Sequence, residues 1–388
     1  MAALLLLIIY IAFISLGLPD AIFGVAWPQM QIDLSLGLEL GGYPALITTF
    51  GTVLSSLLSG YIIAKLKTGR VIVFSVFLTA FALLGISQSN SFIVILIFAF
   101  PLGFGAGSID TALNNYVALN YKPHHMNWLH SFWGVGATLG PLIMSHYLLE
   151  LDWHKGYFVI ALIQITFLII LCFSLPLWKK NADNGHHKEE TKVKPNIFKI
   201  KGVIYALLIF LVYCAIEFSI GLWGPSYLVI NKGISVAKAA QYIMLYYLGI
   251  TGGRFISGLL TFKFKNRQLI FGGVAVVFIG GLLLLLSKSN ILVLASLIII
   301  GMGLAPIFPS MIHDTPVNFG KENSQYVVGY QIAFAYIGFA IFPPVFGYIF
   351  SIINISLFPI FIFILSFILL LLLITLVIKI SHKDNNAI

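Results

Sequence analysis

Apolar runs of about twenty residues, the length a helix needs to cross the hydrocarbon core of a bilayer, recur from one end of this chain to the other. No other feature limits its fold so severely. Inside lipid a backbone must satisfy its own polar groups, which leaves helices or closed barrels. Alternating polar and apolar ten-residue segments of the barrel kind are missing from the sequence, so the helical solution stands. With 60% of the 388 residues apolar and 9% charged, there is more apolar surface than a soluble fold could cover. Twelve spans are expected, near 3–27, 40–64, 71–87, 91–117, 126–150, 156–178, 201–229, 237–262, 268–287, 291–314, 324–349 and 353–380, giving an all-α membrane protein. Residues 2–16 resemble a signal-peptide core, but no basic stretch precedes them and the apolar sequence runs on, so they read as the first span.

Charge orients the spans. Of the 22 Lys and Arg, 17 fall in the even-numbered loops and the C-terminal end, four (Lys155, Lys232, Lys238 and Lys288) in the odd loops, and Arg254 inside a span. The positive-inside rule then places both termini and the long central loop in the cytoplasm of a multi-pass protein of the plasma or inner membrane. The net charge of +9 reports topology, and a nucleic-acid partner is not expected. The surroundings expected are the lipid bilayer, with the chain a monomer. Cys172 and Cys214 both lie in apolar runs, so neither a disulfide framework nor a metal site is read, and no cofactor is implied. Residues 179–200, with mixed charge and low hydropathy, read as a cytoplasmic linker between an N-terminal bundle of six helices (1–178) and a C-terminal one (201–388). The adjacent His186 and His187 in that linker are too weak a signal for a metal site.

An internal repeat supports the division. At an offset of 198 residues Gly51 pairs with Gly249, Ser59-Gly60 with Ser257-Gly258, Lys65-Leu66-Lys67 with Lys263-Phe264-Lys265, and Gly103-Phe104-Gly105 with Gly301-Met302-Gly303. The second span therefore maps onto the eighth and the fourth onto the tenth. Six helices per copy give both copies one membrane orientation, as in transporters built from parallel halves with a site near the midplane.

Three of the thirteen acids, Asp20, Asp110 and Glu217, lie well inside the first, fourth and seventh spans. A carboxylate there is costly unless it faces water, pairs, or takes up a proton, so these three are candidate proton-coupling groups; the alternative is a buried structural acid tied to backbone or hydroxyls. Asp20 and Glu217 fall one residue apart under the repeat offset. Asn114 and Asn115 follow Asp110 within Gly103–Tyr121. In the fifth span Asn127, His130 and Trp133 recur at i, i+3, i+6, close to one helical face, where amide, imidazole and indole could bind sugar hydroxyls and stack on sugar faces. Tyr213 and Glu217 share one side of the seventh span, and Gln331 lies in the eleventh; with Asp20 these complete the candidate substrate-binding set. Arg254, the one base deep in a span, is expected to snorkel or pair with a neighbouring acid, and Asp314 to make a gate or helix-end contact. A lone arginine argues against an anionic substrate, since phosphate and dicarboxylate sites converge several cationic donors.

Several segments resemble, in order, the fucose/proton symporter branch of the major facilitator superfamily, over essentially the whole chain. They are Leu18-Pro19-Asp20-Ala21, Asp110-Thr111-Ala112-Leu113-Asn114-Asn115, Asn127 with Gly136, Gly140 and Pro141, Tyr213 with Glu217 and Tyr227, Gly253-Arg254-Phe255, and Phe308-Pro309. The resemblance implies two pseudo-symmetric six-helix bundles rocking about a central site. It also implies that Asp20 is the acid needed for coupled sugar binding and Asp110 the acid linked to protonation. The family commonly has Glu at position 110, Asn-Pro at 114–115, Asn at 19 and Gln at 130. Proton-coupled uptake of a neutral sugar is the expected function, with a proton-driven exporter of drugs or lipids, or a non-transporting sensor, as alternatives. An enzyme is not expected: His124, His125, His146 and His154 show no HExxH-type pairing.

Overall fold

The computed structural model describes residues 2–121, 123–178 and 197–384, and among them there is no strand. The first span is two helices, α1 (Ala2–Asp20) and α2 (Ile22–Asp33), followed by α3 (Gly42–Leu66), α4 (Thr68–Ser87), α5 (Phe92–Asn120), α6 (Pro123–Tyr147) and α7 (Trp153–Trp178). Next come α8 (Val203–Ile230), α9 (Val236–Leu260) and α10 (Asn266–Leu286), then a second broken span of α11 (Asn290–Leu304) and α12 (Ile307–Phe319), and finally α13 (Lys321–Ile352) and α14 (Phe358–Asp384). Twelve rods stand where twelve spans are expected. Among the described residues ten are long and apolar enough to cross a membrane by length and composition; α3, rich in Thr and Ser, and α6 complete the twelve. His186, His187 and nearly all of the linker lie outside the described residues.

Proline accounts for both breaks, which hydropathy alone does not register. Pro19 and Pro306 lack the N–H that would bond the carbonyl four residues earlier, so the ladder is interrupted where each pair of helices meets.

The chain forms two compact units. The first comprises Met1–Lys188, Gly221–Met244 and Pro344–Ile353; here α5 packs against both α3 and α4, α4 against α7, and α1 against α6. In this unit the first turn of α2 touches α8 backbone to backbone at Gly24 and Gly221, and the nearby Trp27 and Trp223 are fully buried. The second comprises Glu189–Ile220, Leu245–Pro343 and Asn354–Ile388, in which α10 packs against α11, α12 and α14.

The 198-residue repeat reappears at the helix crossings. A Cβ built on Gly51 would lie 2.6 Å from the Phe100 carbonyl oxygen, and one on Gly249 would lie 2.7 Å from that of Ile298. Likewise Gly105 meets Ser75 O at 2.7 Å and Gly303 meets Gly273 O at 2.8 Å. Both members of each contact keep the same offset, so the two copies share their crossing points as well as their sequence. Only hydrogen at Cα lets backbones approach this closely.

Candidate functional site

In the first unit the site begins at the broken helix. Asp20 is the last residue of α1 and is exposed, although Leu18, Ala21 and Ile22 around it are buried. A carboxylate inside a spanning helix is tolerable where it reaches water. The Trp133 indole N–H donates to its Oδ2 at 2.7 Å. Glycines bring α6 that close: a Cβ on Gly136 would stand 2.9 Å from Leu18 N and 3.0 Å from Gly17 Cα. One turn before Trp133, His130 sets its ring edge-on to Phe13, with centroids 5.7 Å apart. On α5, Asp110 is half-buried, and Asn114 Nδ2 donates to its Oδ1 at 2.8 Å and to its carbonyl at 3.0 Å. Asn114 therefore spends its amide hydrogens on Asp110, while Asn115 is exposed. The Asn127 side chain lies outside the described residues.

In the second unit Glu217 on α8 is buried, and Arg254 Nη2 from α9 stands 4.0 Å from its Oε1. That separation is an ion pair without a close hydrogen bond. The Tyr246 hydroxyl donates to the Glu217 carbonyl at 3.3 Å. One turn earlier Tyr213 is buried with its ring 6.0 Å from Phe308. Gln331 on α13 is fully buried and accepts from the Thr315 hydroxyl at 3.0 Å. The Tyr213 hydroxyl faces the Glu217 carboxylate one turn on, and the Gln331 Nε2 has no hydrogen-bond partner among the described residues, so one buried donor remains unused. Asp314 accepts from Asn266 Nδ2 at 2.8 Å, a contact between the middle of α12 and the start of α10.

The first spanning helix and α8 carry versions of one motif. Acid, glycine four residues on and proline eight residues on occur as Asp20, Gly24 and Pro28 and again as Glu217, Gly221 and Pro225, at an offset of 197. The two acids therefore stand at equivalent positions with different neighbours: Asp20 accepts from the Trp133 indole N–H, and Glu217 is paired with the Arg254 guanidinium. Sequence reasoning does not single out Tyr246, Thr315 or Gln164. The signal for the last was available, since Gln164 is the one amide side chain in α7, an otherwise strongly apolar helix.

Comparisons with known proteins bear on what this arrangement serves. A family model described as Major Facilitator Superfamily matches residues 9–324. The glucose/mannose transporter GlcP of Bacillus subtilis (strain 168) is 25% identical over 275 residues, which are 65% of this chain and 66% of that one. A putative glucose/galactose transporter of Helicobacter pylori (strain J99) is 25% identical over 270 residues, 64% of each chain. The cis,cis-muconate transport protein of Acinetobacter baylyi is 22% identical over 284 residues, 69% of this chain and 68% of that one. The match with these relatives thus spans about two thirds of their length. Among solved structures, the nucleoside transporter NupG aligns with a TM-score of 0.78 at 13% identity, covering 96% of this chain and 98% of that one. The E. coli fucose:proton symporter FucP aligns at 0.67 and 15% identity, covering 97% and 98%. Both likenesses are of fold.

Proposed function

The chain belongs to the Major Facilitator Superfamily, a family of membrane transporters and not enzymes, and from that premise we propose that it imports a neutral sugar together with protons by alternating access. The observation that carries this reading is the Asp20–Trp133 pair: a water-exposed carboxylate at the break of a spanning helix, 2.7 Å from an indole N–H. A carboxylate accepts hydrogen bonds from sugar hydroxyls, and an indole offers an apolar face to sugar C–H groups beside a single donor. The two hexose transporters among the relatives support the same substrate class.

In this proposal Asp20 and Asp110 carry the proton. Neutralising the Asp110 side chain from one side allows a closed, loaded state that a naked carboxylate would oppose, and deprotonation on the other side resets the carrier. Glu217, already compensated by Arg254, contributes to substrate binding and couples more weakly to the proton. His130, Asn114, Asn115, Asn127, Tyr213 and Gln331 complete the substrate set, and Asp314 acts as a helix-end contact. Residues 1–178 and 201–388 form the two moving halves on either side of the 179–200 linker, in a monomer of the plasma or inner membrane with both termini cytoplasmic.

The test is uptake of a panel of labelled neutral sugars into proteoliposomes under an imposed pH gradient, comparing wild type with Asp20→Asn and Asp110→Asn. The expected result is uptake of at least one hexose that depends on the gradient in wild type and loses that dependence in one or both variants. Failure of every neutral sugar overturns the substrate claim. Uptake whose gradient dependence neither substitution alters overturns the coupling claim.

A further inference from the structure

Pro19 does more than break α1 from α2. It leaves the Ser15 carbonyl, four residues earlier, without its partner in the helical ladder, and Ser15 is buried. An unpaired buried carbonyl is costly, so the hydrogen bond has to come from elsewhere. It comes from α7: Gln164, fully buried, donates its Nε2–H to Ser15 O, while its own Oε1 has no hydrogen-bond partner among the described residues. A buried amide with only one side satisfied is an expensive residue to keep in an apolar helix unless the bond it makes is needed.

The last turn of α1 is thus fixed on two sides. On one, Gly17 and Gly136 seat it against α6; on the other, Gln164 holds the carbonyl at the root of the turn whose end is Asp20. We propose that Gln164 is a positioning residue for Asp20, its side-chain N–H standing in for the backbone N–H that Pro19 lacks and so aiming the Asp20 carboxylate at Trp133. The role of Asp20 in binding rests on the transport reading above; the positioning does not.

The experiment is a rescue cycle in the full-length protein. Gln164→Met keeps the volume and removes the donor. Pro19→Ala restores a backbone N–H for Ser15 O, so in the Pro19→Ala background Gln164 should become dispensable. Two readouts are taken. One is KM and kcat for the sugar that wild type transports. The other needs no substrate: the Trp133 contribution to fluorescence, measured as each variant minus its Trp133→Phe counterpart, with Asp20→Asn defining the value for a broken contact.

Gln164→Met is expected to raise KM about ten-fold with kcat within about two-fold, the effect of one lost hydrogen bond that orders a charged group. It should also move the Trp133 signal to the Asp20→Asn value. The Pro19→Ala/Gln164→Met double variant should match Pro19→Ala alone in both. A double variant as impaired as Gln164→Met, or a Gln164→Met protein with an unchanged Trp133 signal, overturns the proposal. If wild type transports no sugar, the fluorescence cycle still decides it. Should Gln164→Met fail to fold, the double variant is expected to fold; if that also fails, the restored N–H does not replace Gln164 and the proposal falls.

Discussion

Gly24→Ala is the substitution whose effect follows most directly from the coordinates. A Cβ at position 24 would stand 2.7 Å from Leu222 Cα and 2.9 Å from the Gly221 carbonyl carbon, and closer still to the carbonyl oxygen. Unstrained carbon atoms rest about 3.5–4.0 Å apart, so α2 and α8 must separate by about 1 Å. The three nearest atoms all belong to backbone and none can rotate aside. Overpacking of this kind costs about 1–3 kcal/mol. In an alternating-access carrier that cost falls only on the conformer in which α2 and α8 touch at these glycines, and it depopulates that conformer by a factor of about 5 to 150.

Ser226, fully buried near the end of α8, is the reporter. With Cys172 and Cys214 replaced by serine, Ser226→Cys should react with a membrane-impermeant maleimide faster in Gly24→Ala than in Gly24, by a factor in that range. Gly252→Ala is the control, since nothing lies within 4 Å of its added Cβ, and it should change nothing. An unchanged rate in Gly24→Ala, accompanied by a fall in Tm, would mean that the strain is absorbed in place and that α2 and α8 do not separate during the cycle.

Two further outcomes are expected. Because Arg254 and Glu217 are both nearly buried, at 12% and 9% side-chain exposure, removing one should leave the other uncompensated and cost about 3 kcal/mol. Arg254→Met and Glu217→Gln should therefore each lower Tm in detergent more than the double variant does, whereas additive losses would show that the pair is not coupled. Asp152 caps α7, accepting from the Lys155 backbone N–H at 3.0 Å and facing its ammonium at 3.1 Å. Burial pushes the Asp152 carboxyl up, but the two Lys155 hydrogen bonds and the charges of Lys155 and His154 outweigh it and hold its pKa below the usual value. A depressed pKa gives stability that is present above the ordinary aspartate range and lost as pH falls through the folded value. Asp152→Ala should thus cost about 0.5–1 kcal/mol at pH 7, with the Tm gap to wild type narrowing in acid; a gap constant down to pH 3 would contradict the assignment.

What could be read in advance follows from what each signal measures. Hydropathy measures transfer into lipid, so it locates twelve rods, but it carries no information about which backbone N–H is missing. The interruptions at Pro19 and Pro306 therefore lay inside apparently continuous spans. The repeat was visible because Gly51, Gly105 and their partners must stay glycine where backbones touch, and the crossings they mark recur at the same offset. Asp20, Asp110 and Glu217 stood out because a charge in hydrocarbon is always conspicuous. Their partners were harder to pair. Trp133 meets Asp20 across 113 residues, and Gln164 meets Ser15 across 149, through helix neighbours that no local pattern encodes. The one-residue mismatch between Asp20 and Glu217 was resolved only by matching the Gly24 and Gly221 contact, which sets the offset at 197 for this pair of helices.

The glycine seam between α1 and α6 also bears on how genetic screens of this chain would read. In a saturation library scored by growth on a transported sugar, Gly17, Gly136 and Gly140 should tolerate almost no replacement, because each faces neighbouring backbone at a distance that a methyl group cannot share. They would rank beside Asp20 although they contact no substrate, while a surface-facing position such as Gly252 would drift freely. Intolerance to substitution would therefore outline the scaffold as sharply as the chemistry, and only replacements that preserve volume while altering polarity, such as Asp20→Asn, would tell the two apart.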